Sequence, residues 1–188
     1  MTEGMKKESN IILIGMPGCG KSTVGVVLAK AMGYEYIDSD LLIQKTLGQK
    51  LSQIIEEKGV PGFHEVEDQV NQTIVAEKTV IATGGSAVYG EKAMDHFREM
   101  GTVLYLKLSY EEIKQRLGDL HQRGITIEKG QTLLDLYHER VPLYEKYAHI
   151  IIDTEGLMLR ETVGKIQEIL EPKMAKGSSG GFLASTTY

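Results

Sequence analysis

The chain has 188 residues, 41% of them apolar and 25% charged, with a net charge of −5. This length suffices for one domain with its own core, and the composition is that of a globular protein. The acidic balance argues against a nucleic-acid binder, no apolar run approaches a membrane span, and a lone cysteine, Cys19, excludes an intrachain disulfide or a cysteine zinc site.

Met1 to Ser9 is polar, carries lysines and lacks an apolar signal core. A flexible N-terminus (1–9) on a cytoplasmic protein is therefore expected. Asn10 to Ile14 supplies the apolar run of a buried strand. Gly15-Met16-Pro17-Gly18-Cys19-Gly20-Lys21-Ser22 then fits G-x-x-x-x-G-K-[ST], and Val24, Val27, Leu28 and Ala31 follow at helical spacing. Strand, glycine-rich turn and helix are the context this phosphate-binding motif requires. Glycines let backbone N–H groups turn toward a phosphate chain, and the helix start faces the anion with its positive end. Gly15, Gly18, Cys19, Gly20, Lys21, Ser22 and Thr23 are the expected nucleotide-binding residues. Lys21 can reach the outer phosphates, and the Ser22 hydroxyl can ligate Mg²⁺.

The helix is expected to end near Met32-Gly33, with a short strand from Tyr34 to Ile37. Asp38-Ser39-Asp40 opens another helix, and Leu51 to Glu57 forms a short one broken by Gly59-Val60-Pro61-Gly62. A longer helix from Phe63 to Ala76 presents Val66, Val70, Ile74 and Val75 on its apolar side. Thr79 to Thr83 is a buried strand that ends in Gly84-Gly85-Ser86. A helix from Lys92 to Met100, a strand from Thr102 to Leu108 and a helix from Tyr110 to Leu117 follow. Residues 118–130 are polar and glycine-punctuated, and are expected to form a mobile lid. Gln131 to Tyr147 is helical with Pro142 inside it, His149 to Ile152 is the last strand, and Leu159 to Leu170 the last helix. From Pro172 a disordered tail (172–188) is expected.

Alternating strands and helices predict an α/β fold in three layers, a parallel sheet with helices on both faces. Ligands of such sheets gather beyond the carboxyl ends of the strands. That brings the P-loop, Asp38 to Asp40 and Gly84 to Ser86 to one rim. Asp38 and Asp40 stand two apart at a strand end. One can hold a Mg²⁺ water while the other accepts a hydroxyl proton, or Asp38 or Ser39 can simply cap the helix. Neither strand from Thr79 nor strand from Thr102 ends in aspartate, so Asp38 is the carboxylate available to assist the metal. An Asn-Lys-x-Asp guanine-reading motif is absent, which argues against a GTPase.

The P-loop, Ile37-Asp38-Ser39-Asp40, Phe63 with Glu67, Gly84-Gly85, Arg123, Arg140-Val141-Pro142-Leu143-Tyr144 and Ile152-Asp153-Thr154 occur in this order. Together they resemble the shikimate kinase family over about Asn10 to Leu170. The resemblance implies a P-loop kinase domain (10–171) of the nucleoside-monophosphate-kinase type, a monomer that uses ATP and Mg²⁺. It implies transfer of the ATP γ-phosphoryl group to the 3-hydroxyl of shikimate. Asp40 would orient the acceptor hydroxyl, and Asp38 would lie on the Mg²⁺ side with Ser22. Gly84 and Gly85 would bring backbone close to the substrate, and Arg140 would pair with its carboxylate. Arg123 would meet the phosphates from the lid, with Arg116 near the adenine and Asp153 opening the loop around it.

Three positions depart from the family: His64 stands in place of an arginine, Ser86 in place of a third glycine, and Gly124 in place of a proline after the lid arginine. The first two fall on the acceptor side, which keeps a polyol or sugar acid, or a nucleotide-dependent binding protein, as alternatives. A histidine at 64 is mostly neutral at pH 7 and offers fewer donors than arginine. Losing one charge-assisted hydrogen bond costs roughly 1.5–3 kcal/mol, so carboxylate binding should weaken and recover toward pH 6.

Overall fold

The computed structural model describes residues 10–117 and 130–175. Arg123, Gly124 and the rest of the expected lid up to 129 lie outside the described residues, as do 1–9 and 176–188. Five strands, β1 (Asn10–Ile14), β2 (Glu35–Asp38), β3 (Thr79–Ala82), β4 (Gly101–Lys107) and β5 (Ile150–Asp153), form one sheet in the order β2-β3-β1-β4-β5. Every pairing is parallel, with Ile11 opposite Val80 on one side and Thr102 on the other. β1 and β3 are buried at every position, so both sheet faces are covered, as a continuous apolar run demands. Asn10 ties the strand starts together. Its Nδ2 donates to the carbonyls of Ala76 (2.7 Å) and Met100 (3.1 Å), and its Oδ1 accepts from the Thr79 N–H (3.1 Å).

The helices are α1 (Lys21–Met32), α2 (Ser39–Leu47), α3 (Leu51–Gln72), α4 (Glu91–Met100), α5 (Tyr110–Leu117), α6 (Leu133–Tyr147) and α7 (Leu159–Ala175). α1 closes on Gly33 in the left-handed region, where its N–H reaches the Ala29 carbonyl. A separate small core of Ile43, Ile54, Phe63 and Val70 joins α2 to α3.

Several boundaries differ from the sequence reading. The expected break at residues 59–62 is a kink at Gly59 alone (φ 70, ψ 176), and α3 resumes at once. Pro61 then sits in a new first turn, where its missing N–H has no helical partner to lose. α3 stops at Gln72, not Ala76, so the helical period lapses: Ile74 is buried while Val75 is 92% exposed. Gln131 and Thr132 precede α6. The Thr132 hydroxyl accepts from the Asp135 N–H (3.2 Å) and Asp135 Oδ2 accepts from the Thr132 N–H (2.9 Å), a reciprocal cap. α7 runs through Pro172 to Ala175, so the proline marks no helix end. A 3₁₀ turn at Ala87–Tyr89, unforeseen in the sequence, follows Ser86 and carries the chain toward α4.

Candidate active site

The glycine-rich turn leaves β1 and enters α1 through Gly20, whose φ of 99° would strain any residue with a side chain. Lys21 is the first residue of the helix. Its ammonium donates to the carbonyls of Gly15 (2.7 Å) and Met16 (3.1 Å), folded along the loop. Cys19 is buried, its N–H donates to the Met16 carbonyl (3.1 Å), and its Sγ lies 3.9 Å from Lys21 Nζ. Leu117 of α5 packs under Gly18, so close that a Cβ there would meet Leu117 Cδ2 at 2.9 Å. Arg116 is next to this contact and is paired with Glu112 one turn away (2.8 Å).

Asp38 uses its two oxygens differently. Oδ1 caps α2 by accepting from the N–H groups of Asp40 (3.1 Å) and Leu41 (3.2 Å). Oδ2 accepts from the Ser22 hydroxyl (3.0 Å) and the Tyr36 hydroxyl (3.2 Å). Ser22 Oγ and Asp38 Oδ2 thus form a pair of oxygen donors at the helix start, the ligand chemistry that suits Mg²⁺. β3 lies beside β1 and continues into Thr83, whose hydroxyl donates to the Leu13 carbonyl (3.0 Å).

A cavity of about 350 Å³ opens over this rim. Lys21, Ser22 and Thr23 line it together with Asp40, Gly84, Gly85, Ser86 and Arg140. Elements far apart in sequence therefore meet around a single space, as strand-end geometry predicts. His64, Arg116 and Asp153 do not line it. Asp153 stands exposed at the end of β5, where its Oδ1 accepts from the Glu155 N–H (2.9 Å).

The wall around Gly84 and Gly85 is built by close approach. A Cβ on Gly84 would press on Glu67 Oε1 and come within 2.7 Å of Asp40 Oδ1. A Cβ on Gly85 would meet Pro17 at 2.8 Å and Arg140 Nη1 at 3.1 Å. Two hydroxyls hold this backbone: Ser39 Oγ accepts from the Gly84 N–H (3.2 Å), and Tyr144 donates to the Gly85 carbonyl (2.6 Å).

Burial, then the neighbouring Asp38 charge, raises the Asp40 pKa, with Lys21 opposing. A carboxylate so placed is a stronger base toward a hydroxyl. Glu67 lies behind it, 1% exposed, with the Ser86 hydroxyl as its polar neighbour. Burial pushes Glu67 up to about 8; Asp40 adds to this, while Ser86, Arg140 and Lys21 offset it. Glu67 is consequently protonated at neutral pH. Its folded pKa exceeds the unfolded value of 4.5, so its stabilising contribution is complete below pH 4.5 and is lost as pH rises toward 8. Each pKa unit is worth about 1.4 kcal/mol, so the loss by pH 8 should reach several kcal/mol. Glu67→Gln keeps the shape and removes the titration. Thermal melts at pH 5 and pH 8 should show wild type losing stability over this range and the variant staying nearly level.

The His64 ring stacks on Tyr89 (centroids 4.6 Å apart, 26° between planes), and its Nε2 is buried without a partner. Burial, then the Arg140 charge, pushes its pKa down to about 4, against a smaller pull from Glu139. This corrects the expectation of tighter acceptor binding toward pH 6, because the imidazole stays neutral through that range. The KM for a carboxylate acceptor should be level between pH 7.5 and pH 6; a fall of threefold or more would mean that the ring protonates there.

A parallel sheet of this order, a P-loop meeting Ser22 and Asp38, and an acceptor rim with a buried arginine define a P-loop kinase for small molecules. The shikimate kinase family model matches residues 17–171. Shikimate kinase 2 of Yersinia enterocolitica is 36% identical over 171 residues, covering 88% of this chain and 98% of its own. The shikimate kinase of Thermodesulfovibrio yellowstonii is 36% identical over 160 residues, covering 84% and 92%. The solved structure of Acinetobacter baumannii shikimate kinase in complex with shikimate superposes with a TM-score of 0.78 at 35% identity, covering 88% and 95%. A gluconokinase from Sinorhizobium meliloti shares the fold at a TM-score of 0.52 and 19% identity. The chain belongs to the shikimate kinase family.

Ser39, Tyr89 and Tyr144 acquire their places through contacts across 45 to 59 residues of sequence. No local pattern marks Tyr89. Ser39, Tyr144 and Glu67 lie within the family resemblance, but their partners emerge only from the fold.

Proposed function

We propose that the chain transfers the γ-phosphoryl group of ATP to the 3-hydroxyl of shikimate, releasing ADP and shikimate 3-phosphate. The observation that carries this is the shared cavity, lined by Lys21 and Ser22 of the P-loop together with Asp40 and Arg140. In this reading the loop amides and Lys21 hold the β- and γ-phosphates. Ser22 and Asp38 would hold Mg²⁺, which when bound neutralises phosphate charge. Arg140 pairs with the acceptor carboxylate, and Gly84 and Gly85 let the ring sit against backbone. Asp40 aligns the hydroxyl and takes its proton as the new oxygen–phosphorus bond forms. The bond to the bridging oxygen breaks, and ADP leaves with that electron pair. Arg123, outside the described residues, is assigned to the transferred phosphoryl, and Arg116 and Asp153 to the base.

His64 and Ser86 favour a second reading, a polyol or sugar acid as acceptor in the same cavity. A coupled assay of ADP release with shikimate, quinate, gluconate and uncharged polyols separates the two. Shikimate should give the highest kcat/KM. A polyol exceeding it would establish the second reading, and ATP binding without any acceptor-stimulated turnover would leave a nucleotide-dependent binding protein.

A further inference from the structure

Among the described residues, Arg140 and Lys21 are the two cationic ones that line the cavity. Lys21 is turned onto the loop carbonyls, so an acceptor carboxylate is read by one guanidinium. A single arginine can satisfy a carboxylate well only if its fork points correctly. What aims it therefore decides how strongly charge is preferred. Arg140 is 1% exposed, and its surroundings restrict it from two sides. On one side, Nη1 fits against Gly85, where a Cβ would come within 3.1 Å. On the other, Nε donates to the Tyr89 hydroxyl (3.2 Å), with the guanidinium carbon 5.2 Å from the ring centroid.

Tyr89 is itself fixed. Its hydroxyl proton goes to Glu139 Oε1 (2.7 Å), which leaves the oxygen lone pairs to face Arg140. The other Glu139 oxygen accepts from Gln131 Nε2 (2.7 Å). The neutral His64 ring stacks on Tyr89 and prevents it from swinging away. A phenol bonded to a carboxylate is a better acceptor than a free one, so the chain of bonds is mutually reinforcing.

Resting on shikimate as the acceptor, we propose that Tyr89 is a positioning residue: held by Glu139 and His64, it aims Arg140 at the acceptor carboxylate and thereby sets the preference for charged over uncharged acceptors. Tyr89 touches neither the reacting oxygen nor ATP in this account. Its effect should fall on the acceptor KM and spare the rest.

Tyr89→Phe keeps the ring, the stack on His64 and the packing, and removes only the hydroxyl. Steady-state kinetics with shikimate and with its neutral carboxamide read the effect. The KM for shikimate should rise about tenfold or more, as expected for a lost hydrogen bond to a charged group. The kcat and the KM for ATP should stay within about twofold, and the carboxamide KM should hardly move. The preference for carboxylate over carboxamide then shrinks by the same factor. Glu139→Ala in the Tyr89→Phe background should add nothing, because the phenol is the link between them. An equal rise for both acceptors would make Tyr89 merely structural and overturn the proposal, as would an unchanged shikimate KM. A wild-type protein that does not phosphorylate shikimate overturns the substrate reading, and this inference with it.

Discussion

Asp40→Asn is expected to lower kcat with shikimate by about 10²–10⁴-fold while the Kd for ATP stays within about twofold. Asp40 is placed by the Asp38 cap at the start of α2, on the acceptor side of the cavity. Its carboxyl has a raised proton affinity through burial and the Asp38 charge. The amide preserves shape and the backbone N–H that Asp38 holds, but it cannot accept the hydroxyl proton. The metal-side oxygens, Ser22 Oγ and Asp38 Oδ2, are untouched. Binding of ATP, followed by calorimetry, and single-turnover chemistry should separate cleanly. Collapse of ATP affinity with Mg²⁺ present would instead place Asp40 in the metal site and exchange the roles of the two aspartates.

Lys21→Ala should reduce kcat/KM for ATP by about 10²–10³-fold or more, because a preorganised cation in a sheltered site acts on charge that builds during transfer. The ammonium is buried and spends its hydrogen bonds on the Gly15 and Met16 carbonyls. Truncating the side chain leaves space in which a water can replace the lost donor to those buried carbonyls, and the variant should still melt cooperatively. Normal turnover in a folded Lys21→Ala protein would remove the P-loop from the mechanism.

Much of this architecture was legible because it is local. Asn10 to Ile14 reads as a buried strand, Gly15 to Ser22 as a phosphate loop, and Asp38 as a cap or metal ligand, each from neighbours within a few residues. Strand-end geometry then brings residues 38–40 and 84–86 to the P-loop. The errors have equally physical origins. At residues 59–62, glycine and proline signalled a loop, but one glycine in the left-handed region is enough to redirect a helix. Val75 continued an apolar period past the point where the helix had already ended.

The acceptor site was the least legible part. Position 64 suggested a weakened contact with the acceptor, yet the ring lies outside the cavity wall and stacks on Tyr89. Its low proton affinity arises from burial and from Arg140, which is 76 residues away in sequence. Glu67 enters the sequence reading only through the family resemblance, and its burial behind Gly84 emerges from the fold. Such properties belong to tertiary surroundings, which no spacing rule reports.

The central claim is that this cavity joins the γ-phosphoryl of ATP to one particular hydroxyl. Phosphorus–proton correlation NMR of the product formed from shikimate, ATP and Mg²⁺ tests it most directly. The account predicts a single phosphate ester whose phosphorus couples to the ring proton at carbon 3, absent when Asp40→Asn replaces the wild type. Coupling to the proton at carbon 4 or 5, or ADP accumulating with inorganic phosphate alone, would contradict it.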